Sequence, residues 1–416
     1  MKNRLAIIQL FIANTISGIA QGISMIAIPW YFAKNEEMGK FGILYWIATL
    51  ASVFWVPICG MLVDKYDRKK LFLVVNSICG LLILGTAGLG YWNGFLPWYW
   101  TGFVFVITFF NYNLHFPALY AFAQEITEPQ YYGRITSLLE IVQQSTSILA
   151  GAGAALLLEG SKNGIINLFG FSVQLGWDLE AWEIYEIFAI DGLTYILSFL
   201  VIWFIQYSSL TDRKPETGTI IERIKIGIDW LKNHINILIF GIGSHSVFAI
   251  VMVINFFVNA TYVQQHLGAS GAVFATSEMF FAIGAVFSGI TIRRIFRSFS
   301  IPKSIVWMTF LVAVLMFLLF ATNSVSIFYG SLLLLGLCNA GIRIQRVTFI
   351  FKHIPNQVIG RTGSVFRIVN VLIRAFFIGI FSFAFFQFEG VIWGYLIMSV
   401  FLVLATVVLI WNSSKI

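Results

Sequence analysis

Charge is what this sequence has least of. Only 11% of its 416 residues are Asp, Glu, Lys or Arg, and 59% are hydrophobic. A soluble domain carries about 25% charged residues, so a chain this poor in charge cannot solvate the surface of a globular protein. Mean hydropathy is +0.85, and the expectation is a polytopic membrane protein. Cysteine is also scarce: Cys59, Cys79 and Cys338 all sit inside apolar runs without metal-ligand spacing. That predicts no disulfide framework and no metal site. No phosphate-binding loop occurs, which leaves an ATP-driven pump unsupported. No appended soluble domain is visible, which argues against a membrane sensor or scaffold, and no enzyme motif appears. Nor does the formal charge of +7 point to nucleic acid, because the bases fall in short loops between apolar runs.

What the chain has in abundance is apolar length. A span needs about 20 mostly apolar residues, and twelve stretches qualify: 6–32, 41–61, 71–91, 98–122, 135–158, 187–207, 235–263, 272–292, 304–322, 326–348, 362–386 and 392–411. The short basic start through Arg4 has no small-residue cleavage site after it, so the first stretch reads as an uncleaved span. Lys and Arg sort by loop. One side holds Lys2, Arg4, Lys65, Arg68, Lys69, Lys70, Arg134, Arg213, Lys214, Arg223, Lys225, Lys232, Arg293, Arg294, Arg297, Lys303, Lys352, Arg361 and Lys415. The other holds Lys34, Lys40 and Lys162. The positive-rich side is expected to be cytoplasmic, with both termini on it.

Two connections are long. In 208–233, a flexible Lys214-Pro215-Glu216-Thr217-Gly218 stretch precedes Ile220, Ile221, Ile224, Ile228 and Leu231 at helical spacing. This predicts an amphipathic helix on the inner leaflet, either a tether that limits motion or a plain linker with an apolar face. In 159–186, Phe169, Phe171, Trp177, Trp182 and Tyr185 lie among Asp178, Glu180, Glu183 and Glu186. Aromatics favour the membrane–water interface, so a partly helical flap near the outer mouth is expected, acting as a lid or as a passive element.

The sequence also repeats. The run from Gly133-Arg134-Ile135-Thr136-Ser137 to Gln143 matches that from Gly360-Arg361-Thr362-Gly363-Ser364 to Asn370, with Gly, Arg, Ser, Ile and Val identical in place. Parallel repeats of six helices follow from placing these at the fifth and eleventh spans. The domain expectation is a six-helix bundle over 1–207, a linker over 208–233 and a second bundle over 234–416.

The loop Gly60-Met61-Leu62-Val63-Asp64-Lys65-Tyr66-Asp67-Arg68-Lys69-Lys70 joins the second and third spans. It resembles the loop signature of the major facilitator superfamily, with Asp67 where that family usually has glycine. Ile28-Pro29-Trp30, Asp191-Gly192-Leu193-Thr194-Tyr195, Leu267-Gly268-Ala269-Ser270 and Ala282-Ile283-Gly284-Ala285 resemble the bacterial efflux branch that contains macrolide pumps and the enterobactin exporter. Gln21 stands where that branch often has an acid, and Gly151-Ala152-Gly153 where antiporters often have a Gly-Pro pair. The resemblance implies an all-α membrane protein: twelve transmembrane helices in two six-helix bundles related by a pseudo-twofold. It also implies a monomeric secondary transporter in a bacterial inner membrane, with no cofactor other than a proton gradient. The expected activity is proton-coupled export of a small amphipathic molecule, a drug or siderophore, by alternating access; the alternative is a lysophospholipid or lipid transporter. By the same resemblance Gly60, Asp64 and Arg68 form a conformational latch, with Asp64 meeting the start of the eleventh span. An acid at a helix N-terminus is favourable by about 0.3–1 kcal/mol.

Ionisable groups inside a span cost at least about 2.5–3.5 kcal/mol at mid-bilayer and usually face a cavity or a partner. The candidates are Glu140, Glu278, His115, His245, Arg343, Arg346, Arg367 and Arg374. Arg374 lies roughly 18 Å along its helix from 362, near the midplane, and is assigned to substrate with Arg367 and Arg343. For Arg343 and Arg346, snorkelling is the competing reading; for Arg367 it is snorkelling or a pair with Glu140 across the pseudo-twofold. Glu278 and Glu140 are assigned to proton exchange or, alternatively, to structural salt bridges. The two histidines read as packing residues that could also titrate. Gln21, Gln143 and Asn370 are among the amides that need partners in lipid; some such amides are expected to bond between helices and others to line a wet, aromatic cavity, to which these three are assigned. The excess of arginine in the second half leans toward a substrate with negative charge.

Overall fold

The structure, a computed structural model, describes residues 3–161, 165–168, 171–174, 176–209, 220–388, 390–413 and 415. Lys2, Lys162, Phe169, Arg213 and the linker 214–218 lie outside the described residues. The chain runs α1 Arg4–Lys34, α2 Met38–Lys65, α3 Arg68–Asn93, α4 Trp98–Ile126, α5 Tyr132–Glu159, α6 Ile184–Trp203 and α7 Ile220–Asn233. It continues with α8 Ile235–Val253, α9 Asn259–Thr261, α10 Gly271–Ile295, α11 Ile301–Phe320, α12 Val325–His353, α13 Asn356–Phe381 and α14 Val391–Ser413. Among the described residues twelve helical stretches are long and apolar enough to cross a membrane. Large apolar side chains stay exposed along them, among them Phe54, Leu81, Phe376 and Leu404. Such surfaces suit a hydrocarbon surround, in which helices satisfy every backbone polar group internally.

The ends of these helices correct the sequence expectations. What looked like a loop at 60–70 is mostly helix: α2 continues through Lys65 and α3 begins at Arg68. Asp67 explains the sharp restart, because its Oδ1 accepts from the Lys70 backbone N–H at 2.9 Å as the N-cap of α3. Capping by a carboxylate satisfies a donor that the first helical turn leaves open. Helix α4 runs to Ile126, four residues beyond the expected 122, and so carries Glu125 inside it. The 159–186 flap is not helical at its tip: Ile165–Leu168 and Phe171–Gln174 pair as an antiparallel hairpin, with Leu168 opposite Phe171. Its base is fixed by backbone bonds from Ser161 to Leu179 and from Trp182 to Leu157. Gly160 starts the exit from α5 at φ +70°, where a Cβ would run into the Leu179 carbonyl.

The predicted amphipathic helix is α7, though lipid is not the whole of what covers its apolar face. Leu231 and Trp230 pack with Ile354, Ile359 and Phe366, and Gly227 lies so close to Arg361 that a Cβ would meet that residue's carbonyl. The seventh span, Ile235–His266, is irregular beyond α8: Ile254–Val258 and Tyr262–His266 are π-helical on either side of α9.

Packing divides the chain into two units that do not follow its halves. The first contains Met1–Glu37, Ala51–Glu216 and Ser270–Met279; the second contains Met38–Leu50, Thr217–Ala269 and Phe280–Ile416. In the first unit, Trp30 of α1 stacks on Phe274 of α10 with centroids 6.2 Å apart. In the second, the start of α2 is buried through Phe41, Tyr45 and Thr49, and Trp46 lies on Gly379 of α13. Also in the second unit, α10 and α12 meet backbone to backbone: a Cβ on Gly284 would overlap the Leu333 carbonyl, and one on Gly336 the Phe281 carbonyl. Small residues at such crossings allow van der Waals packing where no hydrophobic drive exists between helices.

Candidate functional site

Polar groups in the first unit gather in two places. At the end that carries Arg68, its Nη1 donates to Glu125 Oε2 at 2.8 Å, with Glu125 only 1% exposed. Lys69 Nζ donates to the Trp203 and Ile205 carbonyls, at 2.9 and 2.7 Å, where α6 ends. Asn3 joins the chain start to the same end, donating to the Ile126 and Ser208 carbonyls. A cation on the last carbonyls of a helix complements its dipole, so this basic run ties α3, α4 and α6 together.

The second place is a polar seam in the unit's interior. Asn14, Gln21 and Ser24 recur along α1 at intervals of seven and three, which keeps them near one face. Across from them His115 of α4 bonds Asn14 at 2.9 Å, and Asn111 of α4 donates to the Tyr195 hydroxyl of α6 at 2.9 Å. Asn76 of α3 donates to Ser198 of α6 at 3.1 Å. Asp191 of α6 is fully buried beside Ser24. Glu140, on α5, is half-buried and accepts from the Tyr120 hydroxyl at 2.6 Å. Tyr120 also lines a cavity of about 390 Å³ between α4 and α5, with Gln124, Tyr132 and Thr136.

In the second unit the interior charges are arginines. Arg346 is 7% exposed, and its Nη1 donates to the Ser244 carbonyl of α8 at 2.8 Å. That corrects the snorkelling reading, because the guanidinium turns into the bundle. Arg374, seven residues before the end of α13, interacts with the Tyr45 hydroxyl of α2, while its Nε is buried without a hydrogen-bond partner. Tyr45 itself is fully buried and donates to the Met252 carbonyl at 3.3 Å. Asn370 donates to the His245 carbonyl at 3.3 Å, and His245 bonds the Gly241 carbonyl of its own helix and stacks on Phe366. Both histidines are therefore engaged in packing.

The other expected residues fall as follows. Gln21 is buried with its Nε2 unpartnered. Gln143 is half-buried on α5, and its carbonyl accepts from Thr146 and Ser147. Glu278 is half-buried on α10, Arg343 is half-buried on α12, and Arg367 is exposed on α13. Asp64 is exposed in the last turn of α2, and Gly60 has open space where a Cβ would stand. Sequence reading missed Glu125, Tyr45 and Asp191 as site residues. A search for ionisable groups within spans finds Asp191 at once, since it lies inside 187–207.

Residues 10–378 match the Major Facilitator Superfamily. The chain belongs to that superfamily. Solved structures with its fold include a mutant of the nucleoside transporter NupG, 14% identical with a TM-score of 0.74, covering 98% of this chain and 99% of that one. A bacterial homologue of the human lysosomal transporter Spinster is 14% identical with a TM-score of 0.71, over 99% and 97% of the two chains. A bacterial homologue of the iron transporter ferroportin is 15% identical with a TM-score of 0.70, over 100% of both. No curated protein matches. These likenesses give the fold, and the superfamily makes the protein a secondary-type transporter in a membrane.

Proposed function

We propose that this major facilitator exports a small amphipathic organic molecule with negative or zwitterionic charge, a siderophore or drug, driven by the proton gradient through alternating access. The observation that carries the reading is Arg374: a guanidinium deep in α13, held by an aromatic hydroxyl and retaining a buried Nε–H with no partner. A buried cationic donor left open costs free energy unless something completes it, and an anionic oxygen on a substrate does so. Arg343 and Arg367 add positive charge on α12 and α13; Gln21, Gln143 and Asn370 supply neutral polar groups. Glu278 and Glu140 are the acids assigned to proton exchange, and Asp64 with Gly60 and Arg68 to the latch. The Lys and Arg asymmetry supports a cytoplasmic-membrane setting with both termini inside. The working unit is a monomer that uses no cofactor.

The test is transport in proteoliposomes under an imposed pH gradient, with anionic, zwitterionic and neutral fluorescent dyes. Wild type should move the anionic xanthene dye, and Arg374→Gln should slow it about tenfold, equivalent to about 1.4 kcal/mol of a charge-assisted bond, with much less effect on neutral dyes. Equal loss for all dyes makes Arg374 structural. Translocation of a fluorescent lysophospholipid, and of none of the soluble dyes, overturns the substrate class.

A further inference from the structure

Asp191 is the eighth residue of α6, and it is 0% exposed. Three elements face its carboxylate. Ser24 comes from α1, Cys79 from α3 and Tyr195 from α6 itself, with Asn111 of α4 bonded to Tyr195 behind it. Cys79 and Tyr195 are the ionisable neighbours, and both are neutral or negative. Among the described residues no Lys, Arg or His lies against Asp191. Ser24 does not complete a hydrogen bond to it, for its Oγ and both Asp191 oxygens are buried without hydrogen-bond partners. One turn along α1 the Gln21 Nε2 is in the same position, as is Asn111 Oδ1.

Two other acids of this unit differ in one respect. Glu125 is met by Arg68, and Glu140 by the Tyr120 hydroxyl. A carboxylate buried in a helix bundle with no cation against it and no completed hydrogen bond is favoured with a proton on it. That proton converts one oxygen from acceptor to donor, which suits a seam containing open acceptors at Ser24 and Asn111. When the charged form is wanted, Gln21 Nε2 and the Ser24 hydroxyl are the nearby open donors.

We propose that Asp191 is a further proton-carrying residue of the transport cycle, binding one proton in the interior of the first unit. Its use rests on the secondary-transport reading above; its titration does not. In the binding step a carboxylate oxygen takes H⁺ from water on the proton-rich side, forming an O–H bond and losing the negative charge. In the release step that O–H bond breaks toward water on the other side, and the carboxylate charge returns. No other reactant is needed.

Infrared difference spectroscopy of the purified full chain in lipid nanodiscs tests this without a substrate. Between about pH 5 and about pH 9, a range that spans the shifts seen for buried acids, wild type should lose a protonated-carboxyl C=O band and gain a carboxylate band. Asp191→Asn should lose that component, with one fewer proton released per chain, and Asp191→Glu should restore it at a displaced frequency. Ser24→Ala should move the band in an otherwise native chain, which keeps the test open if the Asn variant folds poorly. Identical titrations of wild type and Asp191→Asn, or a band indifferent to Ser24→Ala, overturn the proposal. A band displaced by sodium chloride but not by choline chloride at fixed pH overturns it too, in favour of a metal cation. In proteoliposomes Asp191→Asn should abolish pH-driven flux of the anionic xanthene dye while keeping dye-for-dye exchange; loss of both makes Asp191 structural. Absence of dye transport by wild type defeats the substrate reading and leaves the infrared result standing.

Discussion

Among the described residues of the first unit two acids are buried, Glu125 with an arginine against it and Asp191 with none. In the second, two arginines are turned inward, Arg346 onto a backbone carbonyl and Arg374 onto the Tyr45 hydroxyl with its Nε left open. Glu125 and Arg346 thus meet a partner that the fold supplies, whereas Asp191 and Arg374 keep polar atoms that nothing completes. Burial penalises the charged form in each of these places, more where the group is fully enclosed than where it keeps some exposure. A built-in partner makes the group part of the scaffold. An incomplete one leaves it dependent on something that comes and goes, a proton for the acid and an anionic group for the arginine.

That contrast predicts an order of effects on stability, readable by thermal or denaturant unfolding of purified protein in one detergent. Glu125→Ala should be the most damaging, by about 3 kcal/mol, because it leaves the half-buried Arg68 charge without its partner. Arg346→Met follows, at about 1.5–3 kcal/mol, since it removes a charged donor but leaves apolar volume behind. Asp67→Ala should cost about 1 kcal/mol through loss of the α3 cap, and Asp67→Gly only a few tenths. Asp191→Asn should likewise change stability by only a few tenths of a kcal/mol, since no partner is stranded. An Asp191→Asn penalty as large as that of Glu125→Ala would erase the distinction between the two acids.

Much of this was legible in the chain. Twelve apolar stretches gave twelve helices, because hydropathy and length decide a span almost alone. Their ends did not follow from hydropathy. A polar residue can continue a helix when its side chain finds a partner, as Glu125 does, and Asp67 could not be seen as a cap until α3 was known to restart one residue later. The hairpin at 165–174 escaped notice because an aromatic-rich segment of that length fits an interfacial helix as well as a strand pair. Among candidate residues, charge inside a span singled out Arg374 and Glu140, yet whether each is completed depends on neighbours that the span itself does not reveal. Tyr45 is 329 positions from Arg374 and carries no signal of its own.

The composition of the two units has a consequence for biosynthesis. The first unit includes Ser270–Met279, which leaves the ribosome after the whole of α1 to α6, and the second includes Met38–Leu50, which leaves it near the beginning. Neither can close as the chain is made. Until α10 emerges, Trp30 lacks the Phe274 ring that it stacks on and Gly151 lacks the Met279 side chain beside it. The buried stretch around Phe41 and Tyr45 must wait through 207 residues of synthesis for the Met252 carbonyl that it bonds. Packing of this transporter therefore trails its synthesis: both units are completed only after residues of the second half have been made.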